Sequence, residues 1–364
     1  MTRLILKKES TIIAMVLVLA NLLAYPTIVR ASEHAVILGV LEENVDSVAD
    51  TLGNVHENYS RHIRVVFQKR GKEWKSFSSN SQGLSTCFEK CDAQFKCNNK
   101  YSCDSADDTE KCRAEQINQC DVCGGNCAND AMAALPLSYP AKVNWTIVFH
   151  GKNIGHVTSK KQKLLKYYAD VGFQDIVGNS PIPTIGKRSL DYAGDYDGYP
   201  VYRPLISVSQ PNFKDPDGWR PKKLSDAVIQ LARKAFQQKF HTASNCASPD
   251  ADISKPTTYK KKDIKILKSY ISKQHWAVVR MALADYRCDY IIDEDSPFDD
   301  QWFVISPSKK VKYLGAGMNL IDAGDYDNNG KSELMFTISG QNEGGYKLFY
   351  DGFKKHATFE FNYH

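Results

Sequence analysis

The chain has 364 residues, of which 47 are Lys or Arg and 42 are Asp or Glu, for a formal net charge of +5. So even a balance sets aside nucleic-acid binding, which needs a concentrated basic face. Ten cysteines, an even number, read as disulfides and place the chain in an oxidising compartment.

The first 31 residues have the three parts of a secretory signal. Arg3, Lys7 and Lys8 form a positive start, and Thr11 to Tyr25 is apolar apart from Asn21. Val29 and Ala31 supply small residues ahead of a cleavage point before Ser32. The apolar run is shorter than the roughly 20 residues that span a bilayer. The expected domain plan is a signal peptide at 1–31 and one body at 32–364, secreted or periplasmic, with no membrane span after cleavage. Without Arg3, Lys7, Lys8, Arg30 and Glu9, the body keeps 43 basic and 41 acidic residues.

Two β-branched runs come next, His34 to Leu41 and Ile63 to Gln68. After them lies a cysteine-rich insert at 84–132. It holds Cys87, Cys91, Cys97, Cys103, Cys112, Cys120, Cys123 and Cys127 among many polar residues. A segment this poor in large aliphatics needs covalent staples, each contributing about 2–4 kcal/mol. Cys87 and Cys91 are four apart, as are Cys123 and Cys127. If both stretches are helical, each pair faces one way and the two can clamp helix to helix. The spacing leaves the pairing open. Zinc is the alternative, from Cys120-x2-Cys123, but the insert has no histidine. Cys246 and Cys288 stand apart and are expected to pair with each other.

The strand series resumes with Trp145 to Phe149, Tyr202 to Val208 and Trp276 to Leu283, then Trp302 to Ile305, Leu334 to Ile338 and Tyr346 to Tyr350. Gly, Pro, Asn and Asp bound these runs, as they bound short strands. His150 and His156 flank Gly151 to Gly155 in what reads as a hairpin turn, and these two read as surface or turn residues. Gly344-Gly345 reads as another tight turn. One segment differs: Val228, Leu231, Ala232, Ala235 and Phe236 recur at helical spacing, giving an amphipathic helix from a Ser225 cap to about Phe240. Lys260 to Lys262 read as a solvated strand edge.

Ala-Gly-Asp-Tyr-Asp occurs twice, at 193–197 and 323–327. The copies lie 130 residues apart, close to three propeller blades of about 40–45 residues. The second copy continues through Asn328-Asn329-Gly330-Lys331-Ser332-Glu333. Oxygen side chains at alternate positions converge on one cation if the loop turns sharply, and Gly330 allows the turn. Six to eight oxygen ligands suit Ca²⁺. The expected ligands are the Asp325, Asp327 and Asn329 side chains, the Lys331 carbonyl and Glu333. The loop is not an EF-hand, since its twelfth position is Phe336. In the first copy Gly198 comes early and no carboxylate sits ninth, so a turn is expected there. Asp215-Pro216-Asp217-Gly218 also reads as a turn. Asp293, Glu294, Asp295, Asp299 and Asp300 read as a solvated acidic loop.

Residues 325–334 resemble the calcium loop of the FG-GAP and VCBS repeats, found in integrin-type β-propellers and exported bacterial proteins. The resemblance implies a propeller blade whose hairpin is pinned by calcium. The expected fold is therefore all-β and β-propeller-like, with a disulfide-rich, partly helical insert and one amphipathic helix. No nucleophile, zinc-hydrolase or phosphate-loop motif stands out, so no catalytic residue is assigned. The expected function is a calcium-binding, non-enzymatic binding or scaffold protein with a protein or glycan ligand. The alternative is a secreted polysaccharide-active hydrolase or lyase with a structural calcium.

Overall fold

The computed structural model describes residues 35–49, 55–77, 81–96, 109–133, 139–161, 172–185, 203–244, 256–283, 300–340 and 343–362. The expected signal peptide, the first Ala-Gly-Asp-Tyr-Asp copy, Cys97, Cys103, Cys246, Cys288 and the acidic residues from Asp293 to Asp299 lie outside them. All the strands and helices belong to the unit Val36–His364.

The first seven strands are β1 (Ile37–Ala49), β2 (Val55–Arg70), β3 (Glu73–Ser76), β4 (Lys142–Phe149), β5 (Lys152–Lys161), β6 (Phe173–Val177) and β7 (Leu205–Val208). Their order is β1-β7-β4-β5-β6-β2, and β1 also pairs with β2, which closes six strands into a barrel with β3 added beside β2. Leu38 faces Val208 on one side of β1 and Phe67 on the other. Closure leaves these strands without open edges, and small barrels fill their interiors with side chains. Trp145, Ile147, Ile63, Val65 and Leu38 are all buried here.

Between β3 and β4 the chain leaves as a helical hairpin, α1 (Ser81–Phe95) and α2 (Thr109–Ala133). Cys87 bonds to Cys127 and Cys91 to Cys123. This is the clamp that the paired four-residue spacings suggest. Cys112 and Cys120 are also disulfide-bonded. They are too far apart on one helix to reach each other, at about 12 Å of rise, so their partners lie outside the described residues. Bonded sulfurs are not thiolates, which removes the zinc alternative at Cys120 and Cys123.

The rest builds two open antiparallel sheets. One runs β14-β13-β12-β11-β8, from β8 (Arg220–Pro221), β11 (Ile264–Ile271), β12 (Ala277–Leu283), β13 (Gln301–Ile305) and β14 (Val311–Gly315). Short β9 (Ala243–Ser244) and β10 (Pro256–Thr257) pair separately. The other is a meander of β15 (Met318–Gly324), β16 (Glu333–Gly340), β17 (Glu343–Tyr350) and β18 (Lys355–Asn362). The amphipathic helix is α3 (Asp226–Lys239), and the Ser225 side chain makes no capping bond.

Period-two alternation sorts the side chains into layers. On β13, Phe303 and Ile305 pack with Ala232 and Phe236 of α3, while Trp302 and Val304 face the last meander. On β16, Leu334 and Phe336 face that same sheet, while Met335 joins the barrel core. The meander is thus buried on both faces, which is why it reads as continuous apolar runs.

These findings overturn the propeller expectation. The early strands close on themselves into a barrel, and the later sheets stack face to face instead of standing as blades around an axis. Two turns also move. Gly344 and Gly345 pair with Ser339 and Ile338 inside β17. A Cβ on Gly345 would lie 2.2 Å from the Phe359 carbonyl, so strand approach demands the glycine, not a turn. The β4–β5 turn is only His150-Gly151, since Phe149 already pairs with Lys152. Lys260 to Lys262 are exposed but belong to a 3₁₀ turn ahead of β11.

Candidate metal centre

The loop from Asp325 to Ser332 joins β15 to β16. Its backbone wraps its own carboxylates. Asp325 Oδ1 accepts the Asn329 N–H at 2.9 Å and Oδ2 the Gly330 N–H at 2.7 Å. Asp327 Oδ1 accepts from Asn329 N at 3.2 Å, and Asn329 Oδ1 from Lys331 N at 2.8 Å. Gly330 turns with φ +82° and Asn328 with φ +55°, conformations that Gly and Asn adopt most readily. Glu333, the first residue of β16, reaches back to accept the Tyr326 N–H at 2.9 Å.

Asp325, Asp327 and Glu333 each place a carboxylate oxygen within 4.8 Å of the other two. Three of the five expected ligands are therefore brought together. Asn329 shares the loop, with its side-chain oxygen bonded to Lys331 N. The Lys331 ammonium turns away to Asp351 Oδ1 at 3.0 Å.

Burial makes this gathering costly. Glu333 is 0% exposed, and its Oε1 has no hydrogen-bond partner. Burial, then the neighbouring Asp327, drives the Glu333 carboxyl well above the ordinary carboxylate range. Burial, against the Gly330 and Asn329 amides, raises Asp325 to about 6. A divalent cation would supply the missing partner of Oε1 and offset the repulsion. The donor set, hard and all oxygen, fits Ca²⁺.

The surroundings of the loop leave little trace in the sequence. Lys69 of β2 puts its ammonium 2.5 Å from Asp327 Oδ2, holding barrel to loop. The turn at Asp215 docks on the other side. Asp215 accepts the Asp217 and Gly218 N–H groups at 2.9 Å each, and also the Asp325 N–H. That confirms the turn and gives it a second task. Asp217 Oδ2 accepts from Ser332 Oγ, and Asp217 Oδ1 from Gln274 N. Only the Asp-x-Asp-Gly spelling of that turn signals anything.

Two more acids, buried Asp322 and half-buried Glu42, lie nearby or in the adjoining barrel. Asp322 accepts the His150 N–H at 2.9 Å, and burial raises its carboxyl to about 7. Glu42 of β1 receives Arg64 Nε at 2.7 Å, His62 Nε2 at 3.2 Å and the Tyr346 hydroxyl. Burial would raise Glu42, but Arg64 and His62 outweigh it and hold the carboxyl at about 2. The Arg64 guanidinium lies over Phe173 and Phe361, 4.0 and 4.1 Å from their centroids. His62 is thus a buried part of the barrel-to-meander contact.

Comparisons with family models, curated proteins and solved structures return no match.

Proposed function

We propose that this chain is an exported calcium-binding protein whose metal-clipped β-body serves as a non-enzymatic binding scaffold. The observation that supports it is the orphaned Oε1 of buried Glu333, set among the carboxylates of Asp325 and Asp327. An unpaired buried carboxylate oxygen costs folding free energy, and a bound cation would remove that cost. Calcium would then pin the β15–β16 loop between Lys69 of the barrel and the Asp215 turn. The disulfides agree with an oxidising location, where calcium is also plentiful. No helix among the described residues is long and apolar enough to cross a membrane. In this reading a protein or glycan ligand meets the disulfide-clamped hairpin, where Ile117 and Val122 stand 62% and 57% exposed.

Thermal unfolding with Ca²⁺ and with chelator tests the metal assignment. A ligand that binds only the native state stabilises by about 2.7 kcal/mol at a hundredfold excess over Kd. The midpoint should rise by a few degrees in wild type and stay fixed in Asp327→Ala. Equal wild-type midpoints with calcium and with chelator would refute it.

A further inference from the structure

The two described disulfides of the hairpin stand as adjacent rungs. Cys87 and Cys91 lie one helical turn apart on α1, as do Cys123 and Cys127 on α2, so antiparallel helices match them in opposite order. The rungs hold their Cα atoms 5.7 and 5.9 Å apart. Across the diagonal, Cys91 Sγ lies 3.6 Å from Cys127 Sγ, which puts sulfurs of different rungs in contact. The diagonal pair is also the buried one, at 3% and 2% exposure, whereas Cys87 and Cys123 are half-buried. Each rung therefore joins a half-buried cysteine, the more exposed of the two, to a buried one whose sulfur touches the other rung.

We propose that these four cysteines form a thiol–disulfide relay that carries a thiolate from one rung to the other while the helices stay cross-linked. A low-molecular-weight thiolate attacks Cys87 Sγ, forms a mixed disulfide there, and expels Cys127 as thiolate. Cys127 then attacks Cys91 Sγ, forming Cys91–Cys127 and expelling Cys123 as thiolate, which takes a proton from water. Each step makes one S–S bond and breaks one, so disulfide number is conserved and no further oxidant is required. Attack at Cys123 gives the mirror sequence and frees Cys87. The substrate class is an external monothiol, and the product is a half-exposed protein thiolate on the opposite edge of the hairpin. This relay is independent of the calcium reading.

The test uses the folded full chain and reduced glutathione in limiting amount. The reaction is quenched in acid, alkylated in denaturant and mapped by mass spectrometry without reduction. The expected products carry glutathione on Cys87 and the alkyl group on Cys123, or the reverse, together with a Cys91–Cys127 cross-linked peptide. Glutathione on Cys87 with an alkylated Cys127 and an intact Cys91–Cys123 rung would overturn the relay. So would a complete lack of reaction. The Cys87→Ser variant gives a second reading. It should isolate with Cys91 bonded to Cys127 and with Cys123 open to alkylation; retention of Cys91–Cys123 contradicts the proposal.

Discussion

Ser332 Oγ donates a 2.7 Å hydrogen bond to Asp217 Oδ2 and accepts one of 2.8 Å from Trp219 Nε1. This hydroxyl ties the acidic loop to the turn at Asp215, and Ser332, Asp217 and Trp219 are all buried. Ser332→Ala strands an indole N–H and a carboxylate oxygen together. The expected loss is about 1–3 kcal/mol, read by urea unfolding. An unchanged midpoint would mean that the loop and turn are held by other bonds.

Lys69 and a divalent cation would share the same carboxylates. Its ammonium already meets Asp327 and lies 5.1 Å from the centroid of Trp74. Lys69→Met removes a positive charge from beside the site. Calcium affinity should therefore rise, roughly tenfold or about 1.4 kcal/mol, while stability in chelator falls. Calorimetric titration checks the first and thermal unfolding the second. Weaker calcium binding in the variant would show that Lys69 positions Asp327 instead of opposing the ion.

Asp322 predicts a loss of stability on the alkaline side. Its folded value of about 7 lies above the ordinary carboxylate range near 4. The native state thus holds the proton more tightly than the unfolded chain. That contribution is fully present below pH ~4 and is lost as pH rises through about 7. Asp322→Asn keeps an oxygen for the His150 N–H and should flatten stability across this window, measured in chelator. An identical pH slope in variant and wild type would exclude Asp322 as its source.

Glu42 works with the opposite sign. Its folded value of about 2 lies below the unfolded range, so its contribution is present above pH ~4 and lost as pH falls toward about 2. Glu42→Gln removes the carboxylate charge from beside buried Arg64 and should cost roughly 3–5 kcal/mol at neutral pH. Acid unfolding of the variant should lose that part of its steepness. A variant as stable as wild type at pH 7 would show the ion pair to be dispensable.

The strands are legible in the sequence because their apolar runs are continuous. Trp302 to Ile305 and Leu334 to Phe336 are buried on both faces, so no polar alternation interrupts them. Their arrangement is not legible. Barrel closure rests on β1 pairing with β2 and on β7 inserting between β1 and β4, and pairing partners leave no local mark in the residues. The same limit applies to the site. Asp325, Asp327 and Glu333 are spaced for one loop and can be read directly. Lys69 and Asp217 arrive from distant strands and turns, through tertiary packing alone. The cysteine clamp is half legible: Cys123 and Cys127 stand four apart on α2 and meet Cys91 and Cys87 of α1, whereas spacing says nothing of the partners of Cys112 and Cys120.

Calcium titration of the protein by calorimetry, in parallel with Glu333→Gln, tests the metal centre most directly. One saturable site per wild-type chain is expected, with an affinity at least roughly tenfold weaker in the variant, since one charge-assisted ligand is worth about 1.5–3 kcal/mol. No saturable heat in wild type, or equal affinities in the two proteins, would contradict a calcium centre at Asp325, Asp327 and Glu333.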